Sequence, residues 1–396
     1  MTQSSTHWQT HDQPARTLYR MLLIFFAFAT PYVGGHILAM GVKNDYFAFW
    51  SFATFVKLHS PGLIYDYDLL RSFQHLPNGF FPYFYQPQML LVVWPLAQLP
   101  YALGYALWML TGTVACATVT GFVARNPAAV FAVLVGPSTL LVWICGQSSM
   151  IAAALMFGGF GLLPRRPVFA GVLFGLMIYK PQLGVLVPVA LLASRQWRTI
   201  ASACVTAVLF LLASAAVFGV SVWVSWWQHL PSIGATIASK TVEFRFLMAT
   251  VTSNLLSFGA NPLQAHAVQA VCSLAIAILV WRCFRGGVCM LGAALVGAGT
   301  FLATPFAFGY DLAVFNLAVI VTASERWRRH GSFSLPEVAI LVLGFLLPWC
   351  AISPTIFRFS SVLVFAVLCV ILRRIQAVRN EGAVVNGGAN VLVATA

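Results

Sequence analysis

Residues 200–219 read IASACVTAVLFLLASAAVFG, twenty residues without a single charged side chain. At about 1.5 Å of rise per residue, a helix of this length is about 30 Å long and matches the hydrocarbon thickness of a bilayer. Arg195 and Arg198 come just before it. Arginine favours the cytoplasmic side of a membrane, so this run predicts a transmembrane helix that begins on that side.

The composition extends this prediction to the whole chain. Hydrophobic residues make up 60% of the 396 positions and charged residues only 8%, against about 25% charged residues in soluble domains. A soluble protein of this composition would lack a charged surface, so we predict an all-α, polytopic membrane protein. The net charge of +13 comes mostly from single or paired basic residues between apolar runs, a pattern that sets topology and contacts membrane lipids. No nucleic-acid partner is expected.

Further apolar runs predict about 10–12 transmembrane helices, several of them shorter than the usual ~20 residues. The predicted spans are 21–40, 101–123, 128–144, 148–163, 167–179, 181–193, 200–219, 263–281, 287–304, 310–324, 336–351 and 355–372. The proline-rich segment 86–98 is expected to be an interfacial or re-entrant helix. If the arginine clusters lie inside, both termini are cytoplasmic in an integral plasma (inner) membrane protein. Arg16 and Arg20 before the first span indicate an uncleaved signal anchor.

The spans form one predicted domain, residues 1–380, followed by a Gly/Asn/Ala/Val-rich tail, 381–396, that is expected to be disordered. Two outer loops, about 41–100 and 220–262, are long enough to carry a site and are rich in aromatic residues. Such aromatics form an interfacial belt, stack on sugar rings or hold an isoprenoid chain, and the sequence leaves these uses open. The eight cysteines form no CxxC pair, so neither a disulfide framework nor a zinc site is indicated.

Seven of the 22 basic residues fall on the predicted outer side of the membrane, where the preference of basic residues for the cytoplasm does not explain them. These residues are Lys43, Lys57, Arg71, Lys180, Lys240, Arg245 and Arg358. The carboxylates on the same side are Asp45, Asp66, Asp68, Glu243 and Asp311. Asp45 directly follows the first span in a chain with only nine acidic residues, which makes it the leading candidate for a catalytic base. Each of the outer basic residues could equally be a solvated loop charge.

Several of these charges have two interpretations. Lys180 lies in the middle of the apolar stretch 167–193, where an unpaired lysine is costly. It either snorkels from the tip of a hairpin or holds a lipid-linked phosphate, while Gly171 and Gly175 below it allow close helix packing. Asp311 either stabilises the N-terminus of its own helix or belongs to the site. The Tyr65–Asp68 segment either supplies ligands for sugar hydroxyls or forms a capped turn.

A series of short motifs runs through the chain. These are Asn44-Asp45-Tyr46, Tyr65-Asp66, Tyr85-Gln86-Pro87, Gly146-Gln147, Lys180-Pro181-Gln182, Arg195-x-Trp197-Arg198 and Tyr310-Asp311. Together, over roughly residues 20–330, they resemble the membrane glycosyltransferases of family 87, which include polyprenol-phosphate-mannose-dependent mannosyltransferases. The resemblance implies a C-type glycosyltransferase (GT-C) fold, an extracytoplasmic active site and a sugar donor joined to a polyprenyl phosphate. It implies no cofactor and no metal.

The residues and the resemblance together suggest roles in such a transfer. Asp45 would take the proton from the acceptor hydroxyl, help that is worth about 10²–10⁴-fold in rate, and attack opposite the phosphate would invert the sugar carbon. Lys180 and Arg245, then Lys43, Lys57 and Lys240, would bind the donor phosphate. Expected to bind the sugar or the acceptor are Asn44, Asp66, Asp68, Tyr85, Gln86, Gln147, Gln182, Tyr310 and Asp311. The expected enzyme is a hexosyltransferase that moves mannose to a lipid or glycan acceptor.

A polytopic transporter or flippase for a lipid-linked or small-molecule substrate is the alternative. Such proteins place ionisable residues and broken helices near the bilayer midplane, in two related halves. Here the charges concentrate at helix ends and in outer loops, which favours an enzyme.

Overall fold

The computed structural model describes residues 43–77, 79–351 and 353–393, together with Ile24, Phe28 and Tyr32. The first predicted span, 21–40, and the signal anchor therefore lie almost wholly outside the described residues. What is described is α-helical, with short 3₁₀ turns and one isolated antiparallel bridge between Met248 and Phe308.

The helices before residue 165 are α1 (Asp45–Leu58), α2 (Tyr67–Gln74), α3 (Met89–Val93), α4 (Tyr101–Ala124), α5 (Pro127–Leu134), α6 (Pro137–Cys145) and α7 (Ser149–Leu162). Those up to residue 290 are α8 (Pro167–Leu176), α9 (Val187–Ala193), α10 (Trp197–Phe218), α11 (Val220–Glu243), α12 (Val251–Ser257) and α13 (Pro262–Phe284). The last are α14 (Met290–Ala303), α15 (Leu312–His330), α16 (Leu335–Cys350), α17 (Pro354–Phe357) and α18 (Ser360–Val393).

Among the described residues, five helical segments are long and apolar enough to cross a membrane: α4, the α5–α6 pair, α10, α13 and the apolar part of α18. Five apolar helices of 10–17 residues accompany them. Each predicted span from residue 101 onward coincides with a helix or with a pair of short helical segments. The prediction of an all-α, multi-pass membrane protein is confirmed.

Helix α10, which contains the apolar run 200–219, lies on the outside of the bundle. Only 6% of its apolar window is buried within the protein, so its side chains are free to face lipid. Its inner side packs tightly on α8, as predicted from the two glycines there. A Cβ on Gly171 would lie 2.5 Å from the Ser202 Cβ, and one on Gly175 would lie 2.6 Å from the Ala203 carbonyl oxygen. Small residues thus let the two helices approach closely.

Two segments predicted as outer loops contain long helices. Helix α1 begins at a good cap, because the Asn44 side chain accepts a hydrogen bond from the Tyr46 amide. It has no Gly or Pro inside and buries several aromatic rings, among them Phe49, Phe52 and Phe55. Helix α11 runs for 24 residues despite Pro231. Burial of aromatic side chains stabilises α1. In α11, by contrast, Trp223 and Trp226 are half-buried and Trp227 is 70% exposed.

The tail is helical where the composition predicts disorder, and the segment 86–98 is made of two short helical segments. Helix α18 continues to Val393, whereas the composition predicts a disordered tail from Glu381. A helix that is already nucleated extends one residue at a time without the cost of a new nucleus. The segment 86–98 forms α3 and a 3₁₀ turn, Trp94–Gln98, around Pro95.

The centre of the bundle is formed by α14 and α15. All residues of α14 from Leu291 to Ala303 are buried. Helix α15 runs back alongside it, with Leu312–Val321 buried as well. The connection between these two helices, residues 304–311, therefore reaches the end of the bundle at which α1 begins, and it carries Asp311.

Candidate functional site

Asp45 is the first residue of α1, and its position is fixed by the residue before it. The Asn44 side chain accepts from the Tyr46 amide at 3.1 Å and donates to the Ile144 carbonyl oxygen at 2.9 Å. The Asn44 side chain therefore caps α1 and also ties its first turn to the end of α6, a hundred residues further along the chain. Asp45 remains partly exposed.

Gly146 allows the turn after α6 to lie directly against α1. Its backbone is left-handed, with φ +71°, and a Cβ there would lie 2.5 Å from the Tyr46 Cβ and 2.7 Å from the Tyr46 nitrogen. Only glycine fits both the conformation and the space. The Trp108 indole donates to the Gly146 carbonyl oxygen at 3.2 Å, which fixes the turn from the other side. The next residue, Gln147, is thereby directed at Asp45.

Gln147 links Asp45 to Lys180. Its Nε2 donates to Asp45 Oδ2 at 2.8 Å, and its Oε1 accepts from Lys180 Nζ at 3.2 Å. Among the described residues, the Asp45 carboxylate accepts a hydrogen bond only from Gln147 Nε2, through Oδ2. Its other oxygen, Oδ1, is left for another partner. Burial raises the pKa of Asp45 above its ordinary value, while the Gln147 hydrogen bond and the positive charge of Lys180 act in the opposite direction.

Lys180 is buried and fully hydrogen-bonded. An ammonium group has three donors, and Lys180 Nζ uses them on Gln147 Oε1 at 3.2 Å, Ser149 Oγ at 3.0 Å and Asp311 Oδ1 at 2.9 Å. Its side chain is 4% exposed. The residue therefore does not snorkel from a hairpin tip, and a direct contact with a phosphate would require it to give up one of these three partners.

Asp311 is the counter-ion of Lys180. Its Oδ1 also accepts from Ser149 Oγ at 2.7 Å, and its Oδ2 accepts from the Phe308 amide at 3.1 Å. Although Asp311 immediately precedes α15, its side chain makes no capping hydrogen bond to that helix. Of the two interpretations of Asp311, the structure favours membership of the polar cluster.

Two predicted tyrosines complete the cluster. The Tyr85 hydroxyl lies close to the Gln147 side chain and within electrostatic range of Asp45 and Asp311. The Tyr310 ring lies under Lys180, with Nζ 5.2 Å from its centre, and it stacks on Phe308 at 5.1 Å. Five segments far apart in sequence thus meet here, and each carries one of the predicted motifs. We call Asp45, Tyr85, Gln147, Lys180, Tyr310 and Asp311 the polar cluster.

The other predicted phosphate ligands have different surroundings. Lys57 is near the far end of α1, roughly 18 Å from Asp45 along the helix, and donates to Gln98 at 3.1 Å. Lys240 pairs with Glu243 at 2.9 Å, and Arg245 donates to the Val242 carbonyl oxygen at 2.6 Å. Lys43 is exposed, two residues before Asp45, and lies over the Phe47 ring at 4.6 Å.

The remaining predicted sugar ligands also have surroundings of their own, outside the polar cluster. Asp66 Oδ1 caps α2 by accepting from the Asp68 and Leu69 amides, and Asp68 pairs with Arg71, as in the capped-turn interpretation. Gln86 accepts from Gln88 at 2.6 Å, and Gln88 in turn donates to the Ile178 carbonyl oxygen next to the cluster. Gln182 lies in the 3₁₀ turn after Lys180 and is half-buried.

Ser149 and Tyr179 were not predicted as site residues. Ser149 contacts both charges of the buried pair, and the Tyr179 hydroxyl donates to the Ser148 carbonyl oxygen at 3.0 Å. The available signal was position, because Ser149 follows Gly146-Gln147 in a polar turn between two apolar runs and Tyr179 precedes Lys180. Within the described ranges, no group of three or more His, Cys, Asp or Glu side chains could hold a metal ion.

The model of "Glycosyltransferase family 87" matches residues 83–305, more than half of the chain. The matched region contains Tyr85, Gln147 and Lys180, and it ends just before the segment that carries Asp311. No curated protein and no solved structure matches the sequence.

Proposed function

The chain belongs to glycosyltransferase family 87, and from this membership we propose that it transfers a hexose, mannose, from a polyprenyl-phosphate donor to a hydroxyl of a lipid or glycan. The reaction takes place on the extracytoplasmic face, with both termini of the chain on the other side. The donor is a co-substrate, and the reaction needs neither a cofactor nor a metal. The fold is of the GT-C type.

The observation that carries the proposal is the pairing of Asp45 with Gln147. The carboxylate is held through one oxygen, Oδ2, by an amide donor at 2.8 Å. The amide cannot turn freely, because its other end accepts a hydrogen bond from buried Lys180. A base held in this way presents its second oxygen in a fixed direction, which is the arrangement that proton transfer requires.

The proposed step is a single displacement. Asp45 takes the proton of the acceptor hydroxyl as that oxygen forms a bond to the anomeric carbon of the sugar. The bond between this carbon and the phosphate oxygen breaks, and its electron pair leaves with the polyprenyl phosphate. Attack and departure occur on opposite faces, so the configuration at the sugar carbon is inverted.

Lys180 has a positioning role in this scheme. Its three donors orient Gln147, Ser149 and Asp311, and its charge favours the ionised form of Asp45. The leaving phosphate gains negative charge and needs an accessible cation. Lys43 is the first choice, since it is exposed and only two residues from Asp45. Tyr85 and Tyr310 are proposed to contact the sugar.

Replacing Asp45 with Asn tests the proposal. The variant keeps the size of the side chain and cannot take a proton, so sugar transfer from mannosyl polyprenyl phosphate should fall about 10²–10⁴-fold. Glu243→Gln is the control, because that carboxylate is 52% exposed and pairs only with Lys240 in the described chain. Both variants should be recovered in folded form with unchanged melting temperatures.

Wild-type transfer by Asp45→Asn would show that Asp45 is not the base. Arabinosyl polyprenyl phosphate, tested beside the mannosyl donor, separates hexose from pentose specificity. Movement of a lipid-linked substrate across proteoliposomes without any transfer product would support a flippase instead.

A further inference from the structure

A second charged cluster lies at the opposite end of the bundle from Asp45. Arg326 follows Asp311 by 15 residues on α15, which places it roughly 22 Å away along the helix. Here α15 meets the start of α16 and the middle of α18, and buried Glu337 of α16 accepts two hydrogen bonds from Arg374 of α18. The bias of arginine toward the cytoplasm assigns this end to the inner side of the membrane.

The ion pairs of this cluster do not neutralise it. In the described residues they join four arginines to three glutamates, which leaves an excess of one positive charge. The members are Arg326, Arg328, Arg329, Arg374, Glu325, Glu337 and Glu381. Such an excess favours the binding of an anion, and more so at low salt.

Arg326 has hydrogen-bonding capacity that no described residue uses. Its Nε is buried, yet it has no hydrogen-bond partner in the part of the chain seen here. Its ion-pair partner, Glu337 Oε2, is 3.8 Å away, which is beyond hydrogen-bond distance. Buried donors are nearly always satisfied in folded proteins, so this side chain indicates a missing acceptor.

A cleft lies beside these arginines. It is shallow and partly open to solvent, and it is lined by Arg326, Arg329 and Arg374 on its charged side, with Glu325 beside them. Leu291, Ala377 and Val378 form the apolar side. An oxyanion attached to an apolar group, lying against this open cleft, matches the chemistry of the lining.

We propose that this cleft is a phosphate-binding site that takes the headgroup of an anionic phospholipid from the cytoplasmic leaflet. Arginine presents a planar fork of donors that matches phosphate oxygens. Basic pockets between transmembrane helices on this side of a membrane bind such headgroups. The apolar wall then contacts the glycerol and the first part of the acyl chains. The site is independent of the reaction at Asp45.

Two neighbouring arginines give a matched test. Arg328 and Arg329 are 40% and 42% exposed and both pair with Glu325, but only Arg329 lines the cleft. The full-length protein in an uncharged detergent is titrated with short-chain phosphatidylglycerol, and bound lipid is counted by native mass spectrometry. Arg329→Gln should weaken binding about fivefold, the effect of one basic residue near a lipid surface. Arg328→Gln should leave it unchanged, and both variants should melt at the wild-type temperature.

Two further ligands identify the source of the phosphate. Phosphatidylcholine, which has no net charge, should bind at least fivefold more weakly than phosphatidylglycerol. Inorganic phosphate should not displace phosphatidylglycerol at millimolar concentration; displacement that depends on Arg329 would keep the phosphate site but assign it to a soluble ligand. Equal binding of the two lipids, or equal loss in Arg328→Gln and Arg329→Gln, would overturn the proposal.

Discussion

Replacing Lys180 with Met should destabilise the protein far more than replacing Lys240 with Met. The two lysines form ion pairs of the same length, with 2.9 Å between nitrogen and oxygen. The side chains of the pair Lys180–Asp311 are only 4% and 2% exposed, whereas those of the pair Lys240–Glu243 are 30% and 52% exposed. The comparison therefore keeps the length of the ion pair constant, while the access of water and the number of further hydrogen-bond partners of the lysine differ.

The size of the effect follows from what each substitution leaves behind. Lys180→Met leaves the Asp311 carboxylate buried with Ser149 Oγ and the Phe308 amide as donors and without a cation, which costs about 3–5 kcal/mol. Lys240→Met leaves an exposed glutamate that water solvates, at a cost of about 0–1 kcal/mol. The free energies of unfolding of the two variants should thus differ by about 2–5 kcal/mol.

Urea unfolding of the purified protein in detergent, followed by tryptophan fluorescence, measures this difference. The double variant Lys180→Met/Asp311→Asn should be more stable than Lys180→Met alone, because it no longer buries an unpaired charge. Equal destabilisation by the two single variants would refute the burial of the Lys180 pair. A double variant that is less stable than Lys180→Met would show that Lys180 acts through partners other than Asp311.

Two other substitutions test how Asp45 is held. Gln147→Leu removes the donor that stabilises the Asp45 carboxylate, so the pKa of Asp45 should rise further. The acid limb of the pH–kcat/KM profile should then move to higher pH. An acid limb that stays in place or moves to lower pH would contradict this. Gly146→Ala forces a left-handed alanine, at about 1–2 kcal/mol, and also drives a Cβ into Tyr46. Gly79→Ala is its control, with φ +78° and no atom within 4 Å of the added Cβ. Sugar transfer should fall only in Gly146→Ala, and the melting temperature should fall more in Gly146→Ala than in Gly79→Ala.

The helices that cross the membrane could be predicted from apolar runs, and α1 and α11 could not. In a run such as 200–219, burial in lipid decides the structure, so hydropathy is sufficient. In α1 the apolar residues are aromatic and are stabilised by contacts with rings from other segments, for example Phe52 on Tyr83 at 5.0 Å. Such packing depends on the tertiary structure and leaves no simple period in the sequence.

The polar cluster was predictable as a set of residues but not as a set of contacts. Charge sorting placed Asp45, Lys180 and Asp311 on one side of the membrane, and the family motifs added Gln147 and Tyr85. The ion pair between Lys180 and Asp311 joins residues 131 positions apart. Its formation depends on how α14 and α15 return the chain to that end of the bundle. The sequence therefore left open whether Lys180 was exposed, bound to phosphate or paired.

The separation of Lys180 from Asp311 also has a consequence for how the protein is made. Translation proceeds at roughly 5–20 residues per second, so the 131 residues from Pro181 to Asp311 take roughly 7–26 s. During that time Lys180 enters the membrane region without its counter-ion. The segments before and after it, α8 and α9, are 10 and 7 residues long, too short for either to cross a bilayer alone. The hairpin of α8 and α9 can therefore remain near the membrane surface, with Lys180 in water, until Asp311 has been synthesised. Lys180 can then become buried as an ion pair with Asp311.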